Sequence, residues 1–438
     1  MSLSWRAWSV PGAWLTDLGT RGWALGVRLA APFHPKAKAA INGRKGLWQR
    51  LEARRDQLQG CIWMHSASVG EFEQGLPVLE AIKAQHPDVP VLLTFFSPSG
   101  YEARKQHPIA DHVEYLPWDT RGNAERLCAL IKPRVVLWVR YEFWYHHLTT
   151  LHDQGIPTFL LSATFRPEQP FFRWYGAAWR RMLGCFERIF VQDAGSQQLL
   201  GQMGVQGVIQ TGDTRFDRVL RIANSGGTIP MAQAFHRAYD APLLIAGSTW
   251  PADEGLLAEA LRTLRKPPRL LLVPHEPTEA NVQRCMLGMP PPVARWTEVA
   301  RLLEPGAAHP SGPNDDDPLF ARTLVMDITG LLARAYQHAD MAYVGGGFSG
   351  GIHSVLEAAA WGVPVIFGPD HHKFHEAQGL VDADAAVVIR NAEELARVLN
   401  NWVERPQERQ LAGMAARQYV QRMAGATERT TPAILSVM

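Results

Sequence analysis

Residues 343–374 read YVGGGFSGGIHSVLEAAAWGVPVIFGPDHHKF. An apolar strand, Met341–Val344, enters the turn Gly345-Gly346-Gly347, and after Phe348 and Ser349 the pair Gly350-Gly351 opens a helical pattern over Gly351–Trp361. A second apolar run, Val363–Phe367, ends in Gly368-Pro369. Strand, glycine turn, helix and strand in that order make a β–α–β unit of a parallel sheet. Glycines at the turn let backbone N–H groups approach an anion, and a helix N-terminus adds positive potential. The expected helix carries His353, Ser354 and Glu357. Glu357, nearly two turns in, is placed to accept hydrogen bonds from the ribose of a nucleotide lying along its face. A tight turn that simply needs small residues is the plainer account, and the turn alone does not choose between them.

The same alternation extends in both directions. Leu243–Ala246, Leu270–Val273, Leu324–Met326 and Ala386–Ile389 read as further strands of this half, with a helix over Asp253–Leu264 and a Pro-, Gly- and Asp-rich surface loop over Glu304–Asp317. Cys61–His65, Val91–Phe95, Val135–Val139, Thr158–Ser162, Arg188–Gln192 and Val208–Gln210 read as strands of an earlier half, separated by helical segments such as Gly75–Gln85 and Gly122–Ile131. Between the halves lies a polar, glycine-bearing break. The expected architecture is α/β: two Rossmann-like, doubly wound domains of similar size facing a cleft, with ligands at the carboxyl ends of the strands. The boundaries read as 1–50, 51–225, a linker at 226–241, and 242–438, with packing of the terminal helix back on the first domain left open.

Length agrees, since 438 residues exceed the ~250–300 at which one hydrophobic core stops growing. The composition, 46% hydrophobic and 20% charged, excludes a disordered or fibrous chain. Four scattered cysteines without a C-x-x-C pair argue against a disulfide framework or a zinc knuckle. His146-His147 and the group His371, His372 and His375 lack the carboxylate–histidine spacing of a metal site, so none is expected. The late glycine turn is not followed by the acidic residue of a dinucleotide-binding fingerprint, and no P-loop or nucleophile-elbow motif occurs.

The net charge of +2 hides an asymmetry: residues 1–60 hold ten Lys/Arg against Asp17, Glu52 and Asp56, a local +7, which leaves −5 for the rest. Trp5, Trp8, Trp14, Trp23 and Trp48 lie in that segment. On a helix, Trp14, Leu18, Leu25 and Leu29 share a narrow stripe bordered by Arg21 and Arg28, followed by Lys36, Lys38, Arg44 and Lys45. Such a stripe suits the headgroup layer of an anionic membrane; it equally suits a basic helix packed on its own domain. No apolar run is long enough to span a bilayer, no signal-peptide core is present, and no nucleic-acid-binding motif accompanies the cations.

Other strand ends carry polar groups. Ala246-Gly247-Ser248-Thr249 offers hydroxyls and amides for a phosphate, and Val273-Pro274-His275-Glu276-Pro277 an imidazole and a carboxylate. His65-Ser-Ala-Ser68-Val-Gly70-Glu71 ends a strand and opens a helix, so Glu71 is either a general base facing the cleft or a carboxylate answering the helix dipole. Glu142, in Tyr141-Glu-Phe-Trp144, is a second site acid or a partner of Arg140. Thr94–Gly100 supplies another hydroxyl-bearing loop.

These motifs together resemble the Kdo transferases, bacterial enzymes that move 3-deoxy-D-manno-oct-2-ulosonic acid (Kdo) from CMP-Kdo to a lipid A precursor. The similarity runs from about Gly22 to Val420. It is sharpest at Ser68–Glu71 with Leu76-Pro77, Thr94–Gly100, Tyr141–Trp144, Thr211-Gly-Asp-Thr-Arg-Phe-Asp217, Ala246–Thr249 and Gly345–Phe374. It implies the two-domain glycosyltransferase GT-B architecture, with acceptor on the first domain, nucleotide on the second, CMP-Kdo as donor substrate, and no metal or other cofactor. By position, Glu71 looks like the catalytic base and Glu142 like a second acid near the reacting sugar. Glu357 looks like the residue holding the CMP ribose. Gly247, Ser248, Thr249, His275, Glu276, Gly346, Gly347, Phe348, Gly350, Gly351, His353 and Ser354 fall on the donor side. Ser68, Gly70, Ser97, Ser99 and Gly100 fall on the acceptor side. Arg215 replaces a common lysine and keeps a cation for a phosphate or the Kdo carboxylate. The chain departs from the family pattern at His275-Glu276-Pro277, where Arg-His-Pro is common, at Ser354, where Asn is, and at Tyr141–Tyr145, where Thr-Glu-Leu-Trp-Pro is. The resemblance further implies a peripheral or monotopic place on the cytoplasmic face of the inner membrane. A sugar-nucleotide isomerase and a non-catalytic sugar-nucleotide binder are the competing classes.

Overall fold

Val135–Val139 is apolar at every position and buried at every position, and a strand without a polar face has to be covered on both sides. The computed structural model describes residues 29–302 and 318–438, together with Gly19, Gly22, Gly26 and Val27. Trp5, Trp8, Trp14, Leu18, Arg21, Trp23, Leu25 and Arg28, which carry most of the apolar stripe, lie outside the described residues, as does the loop Glu304–Asp317.

The chain forms two units: Met1–Arg218 with Ala424–Met438, and Val219–Met423. In the first unit, β1 (Ile62–Ser66), β2 (Val91–Phe95), β3 (His112–Tyr115), β4 (Val135–Val139), β5 (Thr158–Ala163), β6 (Arg188–Val191) and β7 (Val208–Gln210) form one sheet in the order β3-β2-β1-β4-β5-β6-β7. In the second, β8 (Leu243–Thr249), β9 (Arg269–Pro274), β10 (Val293–Arg295), β11 (Thr323–Val325), β12 (Met341–Val344), β13 (Val365–Phe367) and β14 (Ala386–Val388) run β10-β11-β9-β8-β12-β13-β14. Every pairing is parallel. Alternate residues feed two cores on the first sheet, with Trp63, Leu92, Val136, Trp138 and Leu160 on one face and Ile62, Met64, Leu93, Leu137 and Phe159 on the other.

Two strands, β3 and β10, were absent from the apolar-run pattern, and both are edge strands. β3 interrupts its apolar run with Glu114, which is fully buried and gripped by Arg50 through Nε–Oε2 at 2.7 Å and Nη2–Oε1 at 2.8 Å. Arg50 therefore faces inward, and so does Arg44. The Arg44 guanidinium donates to the carbonyls of Leu116 and Phe96 and lies over the rings of Phe96, Tyr115 and Trp118. Burial lowers its pKa to about 10. Of the basic cluster, Lys36, Lys38 and Lys45 remain exposed. The segment 226–241, expected as a linker, contains the helix Pro230–Arg237, with Met231, Ala232 and Phe235 buried.

The motif Thr211–Asp217 fastens the end of the chain onto the first unit. The Thr211 carbonyl accepts from Arg429 Nε at 2.8 Å. Asp217 accepts from the backbone N–H groups of Gly425 at 2.5 Å and Thr427 at 2.6 Å, and from the Thr427 hydroxyl at 2.7 Å. The helix Ala426–Leu435 thereby packs on the helix Val69–Gln85, with Ile434 in the shared core. Replacing Asp217 by Ala leaves two backbone donors without their partner, a loss of about 2–3 kcal/mol. Hydrogen exchange in residues 426–435 is expected to accelerate selectively in Asp217→Ala; unchanged protection there would remove the clip.

Candidate active site

β1 is flanked by β2 and β4, and β8 by β9 and β12, so chain order reverses at β1 and β8. Their carboxyl ends are the topological switch points at which doubly wound sheets hold ligands. Of the expected carboxylates of the first unit, Glu71 follows the end of β1 and Glu142 that of its neighbour β4.

Ser68 caps the helix Val69–Gln85, and Glu71 is its third residue. Glu71 Oε2 accepts from the backbone N–H groups of Ala67 at 2.6 Å and Ser68 at 3.2 Å, while the Ser68 hydroxyl accepts from Glu71 N at 3.4 Å. This reciprocal capping box fixes the side chain. Glu71 Oε1 makes no hydrogen bond to the described residues, so one oxygen anchors and the other is free to take a proton. Burial pushes the Glu71 pKa up to about 7, the charge of Glu142 adds to the rise, and the two amides and Arg140 oppose it. The helix-dipole account is met by Oε2, and Oε1 is left with the open valence that a general base needs.

Glu142 follows β4 after Arg140, whose backbone sits in the left-handed region at φ +63°. Its Oε2 accepts from Trp144 Nε1 at 2.7 Å and lies 3.5 Å from His65 Nε2, so its partners are Trp144 and His65 rather than Arg140. Buried His65 is held through Nδ1 to the Thr94 hydroxyl at 2.9 Å, which in turn accepts from Trp63 Nε1 at 2.8 Å. This relay went unread in the sequence because each member sits inside an apolar strand run.

The expected acceptor-side loop adjoins Glu71: Ser97 N donates to the Ala67 carbonyl at 2.9 Å and Phe96 N to that of Ser66 at 3.3 Å. Ser97 Oγ caps the helix Pro98–Arg104 by accepting from Gly100 N at 3.1 Å, and it lies 3.3 Å from Ser99 Oγ. A Cβ at Gly100 would sit 2.7 Å from the Phe95 ring, whereas one at Gly70 would have the Ser68 hydroxyl at 4.0 Å as its nearest neighbour. Arg215, expected on the donor side, belongs to the first unit and is ion-paired with Asp213 at 2.7 Å.

In the second unit the glycine-rich turn corrects the helix expected over Gly351–Trp361. Only Leu356–Ala360 is helical, so His353 and Ser354 precede the helix and Glu357 lies in its first turn rather than nearly two turns in. Gly351 at φ +136° and the His353 N–H, given to the Gly345 carbonyl, hold a loop where the helix pattern started. The loop is clasped by Asp253, fully buried, which accepts from Gly346 N at 2.9 Å, Trp250 N at 2.9 Å and the Tyr343 hydroxyl at 2.7 Å. The amides of Gly347, Phe348 and Gly350 are left without a hydrogen bond to the described residues, three donors on one loop for an anion.

Beside this loop three rings stack. Trp250 and His275 lie 4.8 Å apart at 22°, and His275 and His353 lie 4.3 Å apart at 21°. Trp250 Nε1 donates to His353 Nε2 at 3.1 Å, which requires that nitrogen unprotonated; burial, and then His275, lower the His353 pKa. His275 therefore has a packing role where the family pattern departs. Glu276 and Ser354 are exposed, and Ser248 ends β8 at φ +54°. A cavity of about 140 Å³ lies against Ser248, His275, Pro277, Met326, Ile328 and Leu332. A larger one, about 790 Å³, opens at the amino ends of β8 and β9, away from all of these residues. Among the described residues no group of three or more His, Cys, Asp or Glu is arranged to hold a metal ion.

Residues 41–218 match the family described as 3-deoxy-D-manno-octulosonic-acid transferase (kdotransferase). A 3-deoxy-D-manno-octulosonic acid transferase of Bordetella pertussis is 29% identical over 86% of this chain and 87% of its own. That of Aquifex aeolicus is 26% identical over 77% and 84%, and that of Chlamydia muridarum 24% over 91% and 92%. The chain is thus similar to Kdo transferases over most of its length. Among solved structures, a UDP-GlcNAc 2-epimerase of Neisseria meningitidis bound to UDP-GlcNAc matches with TM-score 0.59 at 14% identity, over 86% of this chain and all of that one. Acinetobacter baumannii MurG matches with TM-score 0.52 at 14% identity, over 86% and 99%. These likenesses speak to fold alone: a two-domain GT-B architecture. Within the Kdo transferase match lie both acids of the first unit.

A base at Glu71 would act only when deprotonated, so transfer that depends on it should show kcat/KM rising with pH along a limb centred near 7. Removing the like charge of Glu142 should lower the Glu71 pKa, so Glu142→Gln is expected to shift that limb toward the ordinary carboxylate range. A limb that stays in place in Glu142→Gln would break the coupling.

Proposed function

We propose that the protein is an inverting glycosyltransferase that moves Kdo from CMP-Kdo to a lipid A precursor in lipopolysaccharide synthesis. The observation that carries the proposal is Glu71, a carboxylate anchored through one oxygen, free at the other, and half-ionised near pH 7, in a Kdo transferase frame.

Glu71 Oε1 accepts the proton of the acceptor hydroxyl as its oxygen attacks the anomeric carbon of Kdo. The ketosidic bond to the CMP phosphate breaks through an oxocarbenium-like state, and attack from the opposite face inverts the centre. Glu142, fixed by Trp144 and His65, supplies negative potential beside the developing cation. On the donor side, the amides of Gly347, Phe348 and Gly350 take the phosphate, and Ser248 and Thr249 border it. Glu357 takes the ribose. CMP-Kdo is the donor substrate, and the chemistry calls on no other cofactor.

The acceptor glycolipid places the reaction on the cytoplasmic face of the inner membrane, with the protein peripheral or monotopic. Support comes from the basic opening segment, where Leu29 is 67% and Phe33 89% exposed next to exposed Lys36 and Lys38. No helix among the described residues is long and apolar enough to cross a membrane.

Purified protein incubated with CMP-Kdo and a lipid A precursor is expected to yield, by mass spectrometry, a glycolipid heavier by one or more Kdo units. Glu71→Gln should lower transfer by about 10²–10⁴-fold while CMP binding, followed by calorimetry, persists. Transfer near the wild-type rate in Glu71→Gln would remove Glu71 from the base role. Intact donor with bound CMP would favour a non-catalytic binder, and an isomerised sugar nucleotide an isomerase.

A further inference from the structure

We propose that the loop of residues 164–176 is a second membrane-contact element, which seats Trp174 and Tyr175 in the headgroup layer of an anionic bilayer. Trp174 is 92% and Tyr175 56% exposed, their rings edge to face at 5.6 Å. Large aromatic side chains with one polar atom are placed in this way where one end meets lipid and the other water.

The exposure does not come from slack. Phe171 packs at 4.7 Å on Phe143 and 5.5 Å on Trp179, with Phe165 and Phe186 completing the cluster under the loop. Arg180 Nη1 donates to the Phe171 carbonyl at 3.0 Å and the Arg173 carbonyl at 2.9 Å. Gly176 is wedged so closely that a Cβ there would lie 2.0 Å from the Pro170 carbonyl oxygen. A firmly based loop thus holds two aromatic rings out in water.

Charge selects the occupant. Along the segment 164–181 the exposed charges are Arg166, Arg173 and Arg181 against Glu168, a balance that complements anionic headgroups. A bilayer is chosen because, on the function proposed above, the acceptor is carried by a membrane. The loop follows β5, which lies beside β4, and Phe143 at the base of the cluster directly follows Glu142. On the other side of β1, the carboxyl ends of β2 and β3 hold the opening segment through Arg44, with Leu29 and Phe33 exposed. Two basic, aromatic or apolar elements therefore flank Glu71 and Glu142 along one edge of one sheet.

All four native cysteines are buried, so Trp174→Cys in the full chain can be labelled selectively with the environment-sensitive fluorophore NBD. Vesicles of phosphatidylcholine with about one quarter phosphatidylglycerol should shift its emission to the blue, while phosphatidylcholine alone should not. The same label at Gln206→Cys, exposed at the opposite edge of the sheet, should not respond. The double variant Trp174→Ala, Tyr175→Ala should sediment with the anionic vesicles about tenfold or more less tightly, with its unfolding temperature kept. A label at position 174 that stays in water on vesicle-bound protein overturns the proposal, as does a double variant that binds as tightly as the parent or a parent that binds no vesicles. Failure of Kdo transfer would leave the vesicle result standing, and a water-exposed label would leave transfer standing.

Discussion

A parallel strand covered on both faces can carry only apolar side chains along its middle, and this constraint arranges everything else in the molecule. It expels chemistry to strand ends, and among those it singles out the ends where chain order reverses. In β1 and β2 the polar residues His65, Ser66 and Thr94 sit in the last two positions of their strands. There they tie Trp63 inside to Glu142 outside through one chain of hydrogen bonds and a close imidazole–carboxylate approach. The second unit repeats the solution at β8 with Ser248 and Thr249. Left-handed backbone at Arg140 and Ser248, neither a glycine, is held at the carboxyl ends of β4 and β8 by the packing around them.

Glu71 shows how much can be asked of one side chain at such an end. Two backbone donors would ordinarily hold a carboxylate well below neutrality. Here they engage one oxygen, while burial and the neighbouring charge of Glu142 outweigh them and raise the pKa to about 7. The capping box supplies orientation and the desolvated setting supplies basicity. Neither requires sacrificing the other, because a carboxylate has two oxygens.

Strands with uninterrupted apolar runs were legible in the sequence almost to the residue, as at Val91–Phe95, Val135–Val139 and Met341–Val344. The edge strands β3 and β10 were not, because an edge strand covers less apolar surface and tolerates Glu114 or Arg295 in its run. Periodicity overextended the helix after Gly351, since spacing of apolar residues carries no information on where the preceding glycines bend the backbone. Charge counting likewise grouped Arg44 with the basic cluster and left Arg50 inside the local +7, although their partners, the ring of Trp118 and the carboxylate of Glu114, lie more than sixty residues away. Asp253 was the recoverable omission: an acid three residues after Trp250, with Pro251 opening the helix, is a capping signature.

The glycine turn separates two reasons for small residues that look alike in sequence. A Cβ at Gly247 would lie 2.2 Å from the Tyr336 hydroxyl, and one at Gly347 would lie 2.6 Å from the backbone of Gly368. Those positions are small because the chain packs on itself, with or without a ligand. What the turn offers a phosphate is instead its unspent donors, the amides of Gly347, Phe348 and Gly350. Asp253 accepts from Gly346 N and the Tyr343 hydroxyl, so the loop is fixed from behind while its front stays unpaired. An anion bound there would meet donors already in place, which lowers the ordering cost of binding.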